Sequence, residues 1–347
     1  MGARITAVVV SFADPIACSR AITSLLGQSL APLEVLVVDN DPGARNSWAQ
    51  HRERDWPRVR ILRPEANLGY TRAVNLAARQ AEGDWLFLLN PDAVASRYCL
   101  ERLLAAADRP DVGLVGAQVL LADGRVNAGD NPIAIAGISW SGGYGQPREH
   151  GPARDVAAVS GAALLARRDA FLELGGLCPY FFMYVDDADL AWRMRMRGWR
   201  VRYCPEATVV HDYEFDKGPH KWFYLERNRA WALLSNLQLR TLLFLTPLLV
   251  ATELVVLGRA ISQKWGREKV RAWTLLLRQM PQLLTWRQSV QESRTVSDYW
   301  VLRMFSATIE TPLLDSRPPS WTAPALRCYR RVTLCLLRRS AGPEASI

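Results

Sequence analysis

The sequence predicts an α/β protein, a doubly wound and mainly parallel sheet followed by a helical C-terminal region placed at a membrane interface. Three observations predict it. Over the first 125 residues, short Val- and Leu-rich runs alternate with stretches of helical periodicity. One apolar run, Leu86-Phe-Leu-Leu-Asn-Pro-Asp92, halts at Asn90-Pro91 and leaves a carboxylate at its C-terminal end, where open α/β sheets bind ligands. From Trp222 onward, long apolar runs are interleaved with Lys and Arg.

Ile5–Val10 reads as a buried parallel strand because it is a continuous apolar run rich in Val. Asp14-Pro15 then reads as a helix cap followed by proline at the first helical position. Ile16, Ile22, Leu25 and Leu26 give that helix its apolar face, and Gly27 ends it. Leu33–Val38 is the second strand, with Asp39-Asn40 after it, and Val59–Leu62 is the third. Tyr70–Ala81 reads as helix up to Gly83, Trp85–Leu89 as the fourth strand, Tyr98–Ala107 as helix and Val112–Leu121 as strand. Residues 127–152 are rich in glycine, proline and asparagine and read as a long, partly ordered loop beside the site. Val156–Ala166 reads as a strand near the point where the strand order reverses. Asp187–Arg197 is a short helix closed by Gly198. Arg200–Tyr203 and Thr208–Val210 are two short strands, the second ending at His211.

The composition excludes a disordered chain: 49% of residues are hydrophobic and 22% charged. The net charge of +9 is unevenly placed, since residues 217–347 carry 20 Lys and Arg against 8 Asp and Glu. A basic tail threaded with apolar runs points to an anionic membrane surface and away from nucleic acid. Six cysteines show neither CxxC nor zinc spacing, which suits buried thiols in a reducing compartment. No signal peptide is read before the first strand. Thr241–Gly258 is 18 residues long with Glu253 as its one charge, short of the roughly 20 a bilayer span needs. The preferred reading lays it in the interface, with Trp222, Phe223, Tyr224 and Trp231 at headgroup depth. Packing on the first domain is a close second reading, and full spanning a third.

The residues with chemistry cluster at strand ends and helix starts. Asp39 suits a uracil or thymine imide N–H, though Asp-Asn-Asp-Pro is equally a turn signal. In Asn67-Leu-Gly-Tyr-Thr-Arg-Ala-Val-Asn75, Gly69 permits close backbone approach, and Arg72 and Asn75 are within reach of a nucleotide at a helix N-terminus. Asp92 suits Mg²⁺ or Mn²⁺, which take one or two protein carboxylates and complete the shell from substrate phosphates. Asp186, Asp187 and Asp189 open a helix and cannot share one face. Hemmed in by Phe181, Phe182, Met183 and Tyr184, one of them would have the raised pKa of a general base, whereas Asp189 is read as complementing the helix dipole. His211 either completes the metal site or is a hydrogen-bonded strand-end histidine.

In order, Val8-Val-Val-Ser-Phe12, Val37-Val-Asp-Asn40, Asn67-Leu-Gly-Tyr70, Leu88-Leu-Asn-Pro-Asp92, Gly161-Ala-Ala-Leu-Leu165, Phe182-Met-Tyr-Val-Asp-Asp-Ala-Asp-Leu190, Gly198-Trp199, His211 and Tyr224-Leu-Glu-Arg-Asn-Arg229 resemble family-2 glycosyltransferases of the GT-A fold. The resemblance is to the rhamnosyltransferase-like branch that builds bacterial surface polysaccharide. It implies an inverting enzyme that moves a sugar, such as the deoxyhexose rhamnose, from a dTDP- or UDP-type donor to a glycan or polyprenyl-diphosphate-linked acceptor. It implies that Asp39 contacts the base, that Asp92 ends the family's metal-binding Asp-X-Asp, and that Asp187 matches the acceptor-deprotonating Asp of its Glu-Asp pair. His211 resembles a histidine that helps hold the metal or diphosphate. Asn67 and Asn90 fall in donor-side motifs. Two positions depart from the pattern: Asn90 stands where the first carboxylate of Asp-X-Asp belongs, and Asp186 replaces the Glu, which leaves Asp186 open as the base.

The implied organisation is a GT-A catalytic domain over 1–216, an amphipathic membrane-associating helical region over 217–315 and a basic peripheral tail over 316–347. The implied location is the cytoplasmic face of the inner membrane, peripheral or monotopic. Arg227 and Arg229 are candidates for an acceptor diphosphate, or else solvated helix arginines. A nucleotidyltransferase would need a Gly-rich basic loop where Ser11-Phe-Ala-Asp-Pro15 stands, and a dinucleotide-linked dehydrogenase would need GxGxxG there. A glycan-binding scaffold on a degenerate transferase fold is the non-enzymatic rival.

Overall fold

In the computed structural model, which describes residues 3–43, 56–212, 218–311 and 322–338, the apolar runs form the sheet predicted for them. β1 (Ile5–Ser11) is buried along its whole length. Asp14 caps α1 (Pro15–Leu26), its side chain accepting from the Ala17 N–H at 2.9 Å. Then come β2 (Glu34–Asp39), β3 (Val59–Leu62), α2 (Gly69–Gln80), β4 (Trp85–Leu89), β5 (Ala93–Ala95), α3 (Cys99–Ala106) and β6 (Val112–Leu120). The next elements are β7 (Val126–Ala128), β8 (Asp130–Asn131), β9 (Arg154–Asp155), β10 (Ala158–Val159), β11 (Ala163–Arg167), α4 (Arg168–Glu173), α5 (Asp186–Met196) and β12 (Arg200–His211).

The main sheet has the order β3-β2-β1-β4-β11-β6-β12-β5. β3, β2, β1, β4, β6 and β12 run one way, and β11 and β5 run against them. The expected mainly parallel sheet is therefore present, with one reversed strand wedged into its middle. Its core packs Ile5, Val9, Ile22, Leu25, Phe87 and Leu165 together. Because β11 is antiparallel, its first residue, Ala163, pairs with Leu89, the last residue of β4. His211, the last residue of β12, pairs with Ala93, the first of β5. These pairings bring Asn90, Pro91 and Asp92 beside the start of β11 and the end of β12.

Three expectations for this part are corrected. Residues 127–152 are not a partly ordered loop: β8 pairs with β10, and Gly129 N–H donates to the Gly142 carbonyl at 2.9 Å. The strand expected over 156–166 is divided into β10 and β11, separated by a turn at Ser160–Ala162. The two short strands before His211 are one long strand whose register shifts between Cys204 and Thr208. Pro205 sits in that shift, where its missing N–H breaks no ladder bond.

Two compact units divide the chain. Met1–Asn131, Ser141–Met194 and Trp199–Tyr213 form the first, and Pro132–Trp140, Arg195–Gly198 and Glu214–Ile347 form the second. The boundary expected at 216/217 lies outside the described residues. So does much of the expected tail, of which α11 (Thr322–Arg338) is described as helix.

The second unit is helical. It contains α6 (His220–Asn236), α7 (Leu239–Ser262), α8 (Gly266–Arg278), α9 (Met280–Glu292) and α10 (Asp298–Leu302). α7 is 24 residues long, not 18, and only 11% of its most apolar window is buried, which removes the reading of a buried core helix. By length and composition it could cross a membrane. Leu243, Val250, Leu254 and Ile261 form an exposed apolar stripe along it. Glu253 is turned inward: it pairs with Arg229 and with Lys269 (2.7 Å) and accepts from the Trp273 indole N–H at 2.9 Å. Arg229 also pairs with Glu226 at 2.8 Å, and Lys269 closes the ring on Glu226. Two cations and two anions thus neutralise one another between α6, α7 and α8, which accounts for a carboxylate in so apolar a helix. Phe223 and Trp231 are buried in this unit, not placed at headgroup depth. Cys18, Cys99, Cys178 and Cys204 are buried free thiols as expected, whereas Cys328 and Cys335 are exposed.

Two substitutions test this packing. A Cβ on Gly116 in β6 would lie 2.3 Å from the Val159 Cβ, so Gly116→Ala should cost about 1–3 kcal/mol in urea denaturation. An unchanged midpoint would contradict the packing of β10 on β6. Arg229→Met leaves Glu226 and Glu253 short of a cation and should destabilise by about 3–5 kcal/mol. Parent-like stability would return Arg229 to the pool of ligand contacts.

Candidate active site

The backbone changes hand just before the paired carboxylates. Tyr184 (φ 69°) and Val185 (φ 65°) both occupy the left-handed region. Val185 is β-branched, and such a conformation costs on the order of 1–3 kcal/mol and concentrates at functional sites. The turn brings Asp186, Asp187 and Asp189 into the first turn of α5, where the helix dipole favours negative charge. Asp189 is buried against Arg193 at 2.8 Å, a structural ion pair one turn apart, in keeping with its being left out of the chemistry.

Asp186 and Asp187 differ in setting. Asp186 is buried. Burial first, and then the neighbouring Asp187 charge, push its carboxyl well above the usual carboxylate range. Asp187 keeps an edge open to solvent. Burial raises its carboxyl too, against the Gly161 and Ala188 N–H groups that favour the ionised form. Those donors hold it from two sides: Gly161 N–H to Oδ2 at 2.9 Å and Ala188 N–H to Oδ1 at 2.8 Å. Of the pair, Asp187 is thus the oriented, ionisable and accessible member.

The second cluster lies at the ends of β4 and β12. His211 Nε2 is 3.0 Å from Asp92 Oδ1 and 3.4 Å from the Asn90 amide nitrogen. Two adjacent residues, Gly161 and Ala162, join the two clusters. Asn90 N–H donates to the Ala162 carbonyl at 2.9 Å, and the preceding residue, Gly161, is the one that holds Asp187. Asp92, Asn90 and His211 are thus linked through backbone to the turn that holds Asp187.

His211 Nε2 and Asp92 Oδ1, 3.0 Å apart, are hydrogen-bonded to each other, and an imidazole nitrogen and a carboxylate oxygen are both donor types that divalent cations take. Among the described residues no group of three or more His, Cys, Asp or Glu side chains could hold a metal, so this pair would need substrate oxygens to complete a shell.

Other donor-side candidates are engaged by the protein itself. Asn67 Oδ1 accepts from the Gly69 N–H (2.8 Å) and the Asn40 amide (2.9 Å), a clamp on the turn into α2. Gly69 has φ +71°, and a Cβ there would lie 2.5 Å from the Phe182 ring. The close approach read from this glycine exists, but Phe182 makes it. The Tyr70 N–H and the Thr71 hydroxyl donate to the Phe182 and Phe181 carbonyls, so the start of α2 is closed by protein and not left open for phosphate. Both ends of the Asn75 amide bond the Leu177 backbone at 2.8 Å. Arg72 is exposed on α2, beside a cavity of about 140 Å³ shared with Leu68, Leu76 and Pro179. Asp39 is the buried last residue of β2, 4.0 Å from Arg63.

Arg227 and Arg229 are not solvated, and they belong to the second unit. Both are buried in α6, Arg227 against the Asn228 amide and Arg229 in the ion-pair ring. Sequence reasoning missed Tyr70 as a site residue. Its hydroxyl donates to the Gly161 carbonyl at 3.4 Å, and burial, then Asp186 and Asp187, raise its pKa. The Asn-Leu-Gly-Tyr run was its signal.

Comparison with known proteins agrees with this geometry. The profile of "Glycosyl transferase family 2" matches residues 8–175. The N-acetylglucosaminyl-diphospho-decaprenol L-rhamnosyltransferase of Mycobacterium tuberculosis is 33% identical over 59% of this chain and 74% of its own length. The O-antigen chain rhamnosyltransferase WbaN of Salmonella anatum is 26% identical over 54% of this chain and 59% of its own. A crystal structure of GalNAc-T7 with UDP, GalNAc and Mn²⁺ superposes with a TM-score of 0.56 at 14% identity, covering 67% of this chain and 48% of that one. That likeness shows the GT-A fold.

Asp187→Asn should lower turnover by about 10²–10⁴-fold, and Asp186→Asn, which resembles its protonated form, should keep most of it. In the parent, kcat/KM should climb with pH through a limb above the ordinary carboxylate range, because the proton acceptor must first ionise. A profile already flat at pH 5, or the reverse order of the two variants, would contradict the assignment.

Proposed function

The chain belongs to glycosyl transferase family 2, and from that premise we propose that it is an inverting rhamnosyltransferase acting on a polyprenyl-diphosphate-linked N-acetylglucosamine acceptor. The chain is a glycosyltransferase of the kind that serves cell-wall and surface polysaccharide synthesis. One observation supports the mechanism: two adjacent residues bond both clusters, the Gly161 N–H to Asp187 and the Ala162 carbonyl to the N–H of Asn90, two residues before Asp92.

In this reading the acceptor hydroxyl attacks the anomeric carbon from the face opposite the nucleoside diphosphate. A new C–O bond forms, the bond to the β-phosphate oxygen breaks, and Asp187 takes the hydroxyl proton. Its two backbone donors hold the carboxylate in one orientation, so little reorganisation is needed as the proton moves. Protonated Asp186 behind it limits the negative charge of the pair. Asp92 and His211 would hold Mg²⁺ or Mn²⁺, which supplies neutralisation of charge on the departing diphosphate. Asn90 adds a neutral contact there. Asp39, at the end of β2, is the candidate for the uracil or thymine ring, and Arg72 for the outer part of the donor.

The rhamnosyl donor and the lipid-linked acceptor are supported by the Mycobacterium tuberculosis relative, whose name states both the sugar and the acceptor. The exposed apolar stripe of α7 and the basic second unit support attachment to the cytoplasmic face of the membrane.

The test is transfer from dTDP-rhamnose and from UDP-sugars to N-acetylglucosaminyl-diphospho-polyprenol in detergent. Rhamnosyl transfer with inversion is expected. Selective use of another sugar, or of a soluble acceptor alone, would overturn the substrate assignment. Chelation should abolish turnover, and Mn²⁺ or Mg²⁺ should restore it. Asp92→Ala should weaken metal-dependent donor binding about tenfold or more. Full turnover of the chelated parent would remove the metal role of Asp92 and His211.

A further inference from the structure

The second unit contains a groove that the chemistry above does not use. Between α6, α7 and α8 lies a cavity of about 810 Å³, within the roughly 300–1,000 Å³ usual for small-molecule sites. Its walls are apolar: Phe223 of α6, Leu257 and Ile261 of α7, and Val270 and Leu275 of α8. Arg267, Arg271 and Arg278 also line it, and all three are exposed. Their spacing of four and seven residues sets them along one face of α8. Arg267 and Arg271 stand one turn apart at the N-terminal end of that helix, and the Arg271 guanidinium lies over the Phe223 ring at 4.7 Å. Two adjacent cationic heads at the start of α8, with apolar wall between them and Arg278 at the far end of the helix, match a ligand with an anionic head and a hydrocarbon chain.

We infer that this groove binds the prenyl-diphosphate portion of the lipid-linked acceptor, with Arg267 and Arg271 on the diphosphate and the chain lying along Leu257, Ile261 and Val270. The inference rests on the lipid-linked acceptor proposed above. Charge separates this occupant from bulk membrane. The exposed stripe of Leu243, Val250 and Leu254 on α7 offers a bilayer apolar surface alone. The trough, which is open to solvent, adds two neighbouring guanidinium groups, the donors that suit one diphosphate. The ion-pair ring of Glu226, Arg229, Glu253 and Lys269 holds the same three helices together, so the groove is built on a fixed frame.

The test uses the full chain and calorimetric titration with geranylgeranyl diphosphate, with inorganic pyrophosphate, and with vesicles of phosphatidylglycerol and phosphatidylcholine. Arg267→Glu/Arg271→Glu is the informative variant. Both side chains are exposed, and acidic residues near the start of a helix do not oppose its dipole. The parent should bind geranylgeranyl diphosphate at least about tenfold more tightly than pyrophosphate, and the double variant should lose about tenfold or more of that affinity. Binding to vesicles of phosphatidylcholine alone, which carry no net charge, should change by about twofold or less, whereas binding to phosphatidylglycerol falls with the lost charge. Equal binding of pyrophosphate by the parent, undiminished prenyl binding by the variant, or parallel loss of phosphatidylcholine binding would each overturn the inference. Turnover of the lipid-linked acceptor by the parent is read separately. Absent turnover with the expected titration pattern refutes the acceptor proposal and leaves the prenyl-diphosphate groove standing.

Discussion

Two adjacent residues in the turn before β11 organise the catalytic rim. The Gly161 N–H donates to and orients Asp187, while the Ala162 carbonyl receives the Asn90 N–H. The turn reaches the rim because β11 enters the sheet backwards between β4 and β6. A parallel strand would have placed its beginning at the far edge, away from the strand ends that bear Asn90 and His211. The reversed strand brings its leading turn to the ligand-binding rim, so the two carboxylate clusters meet through backbone and not through flexible side chains. Gly161 is suited to the position: a Cβ there would press on the Asp187 Cβ at 3.2 Å.

The same rim concentrates the local compromises of the fold. Tyr184 and Val185 accept left-handed backbone, and the carbonyls of Phe181 and Phe182 close the start of α2 through Tyr70 and Thr71. Asn40, Asn67 and Asn75 each act as amide clamps on neighbouring loops. This polar scaffolding holds the Phe181–Asp187 segment against the turn before α2. The strained pair then places Asp186 in a buried setting and Asp187 at its edge, two environments that push neighbouring carboxyls toward different protonation states.

In the helical unit the governing constraint is electrostatic. Glu253 in an otherwise apolar helix would be costly without a cation, and Arg229 and Lys269 provide two. Their satisfaction sets the rotation of α7, turning Glu253 inward and leaving Leu243, Val250 and Leu254 outward. A charge that read as an obstacle to spanning a bilayer is what orients the helix, and Arg227 and Arg229, read as ligand contacts or solvated arginines, take part in internal hydrogen bonds and ion pairs.

By itself the sequence determined the alternation of strands and helices, the cap at Asp14, the strand-end carboxylate at Asp92 and the paired carboxylates at the head of α5. Each of these is written in local periodicity, turn chemistry or capping, which act over a few residues. The direction of β11, the single long β12 and the meeting of Asn90, Asp92 and His211 with Asp187 were decided by tertiary structure. They depend on pairings between residues about 25 to 120 positions apart, and no local pattern encodes them. Burial made the remaining distinctions. Whether Asn75 faces a ligand or the Leu177 backbone, and whether an arginine is solvated or locked in an ion pair, follows from which neighbours exclude water around it. Only the packed chain supplies those neighbours.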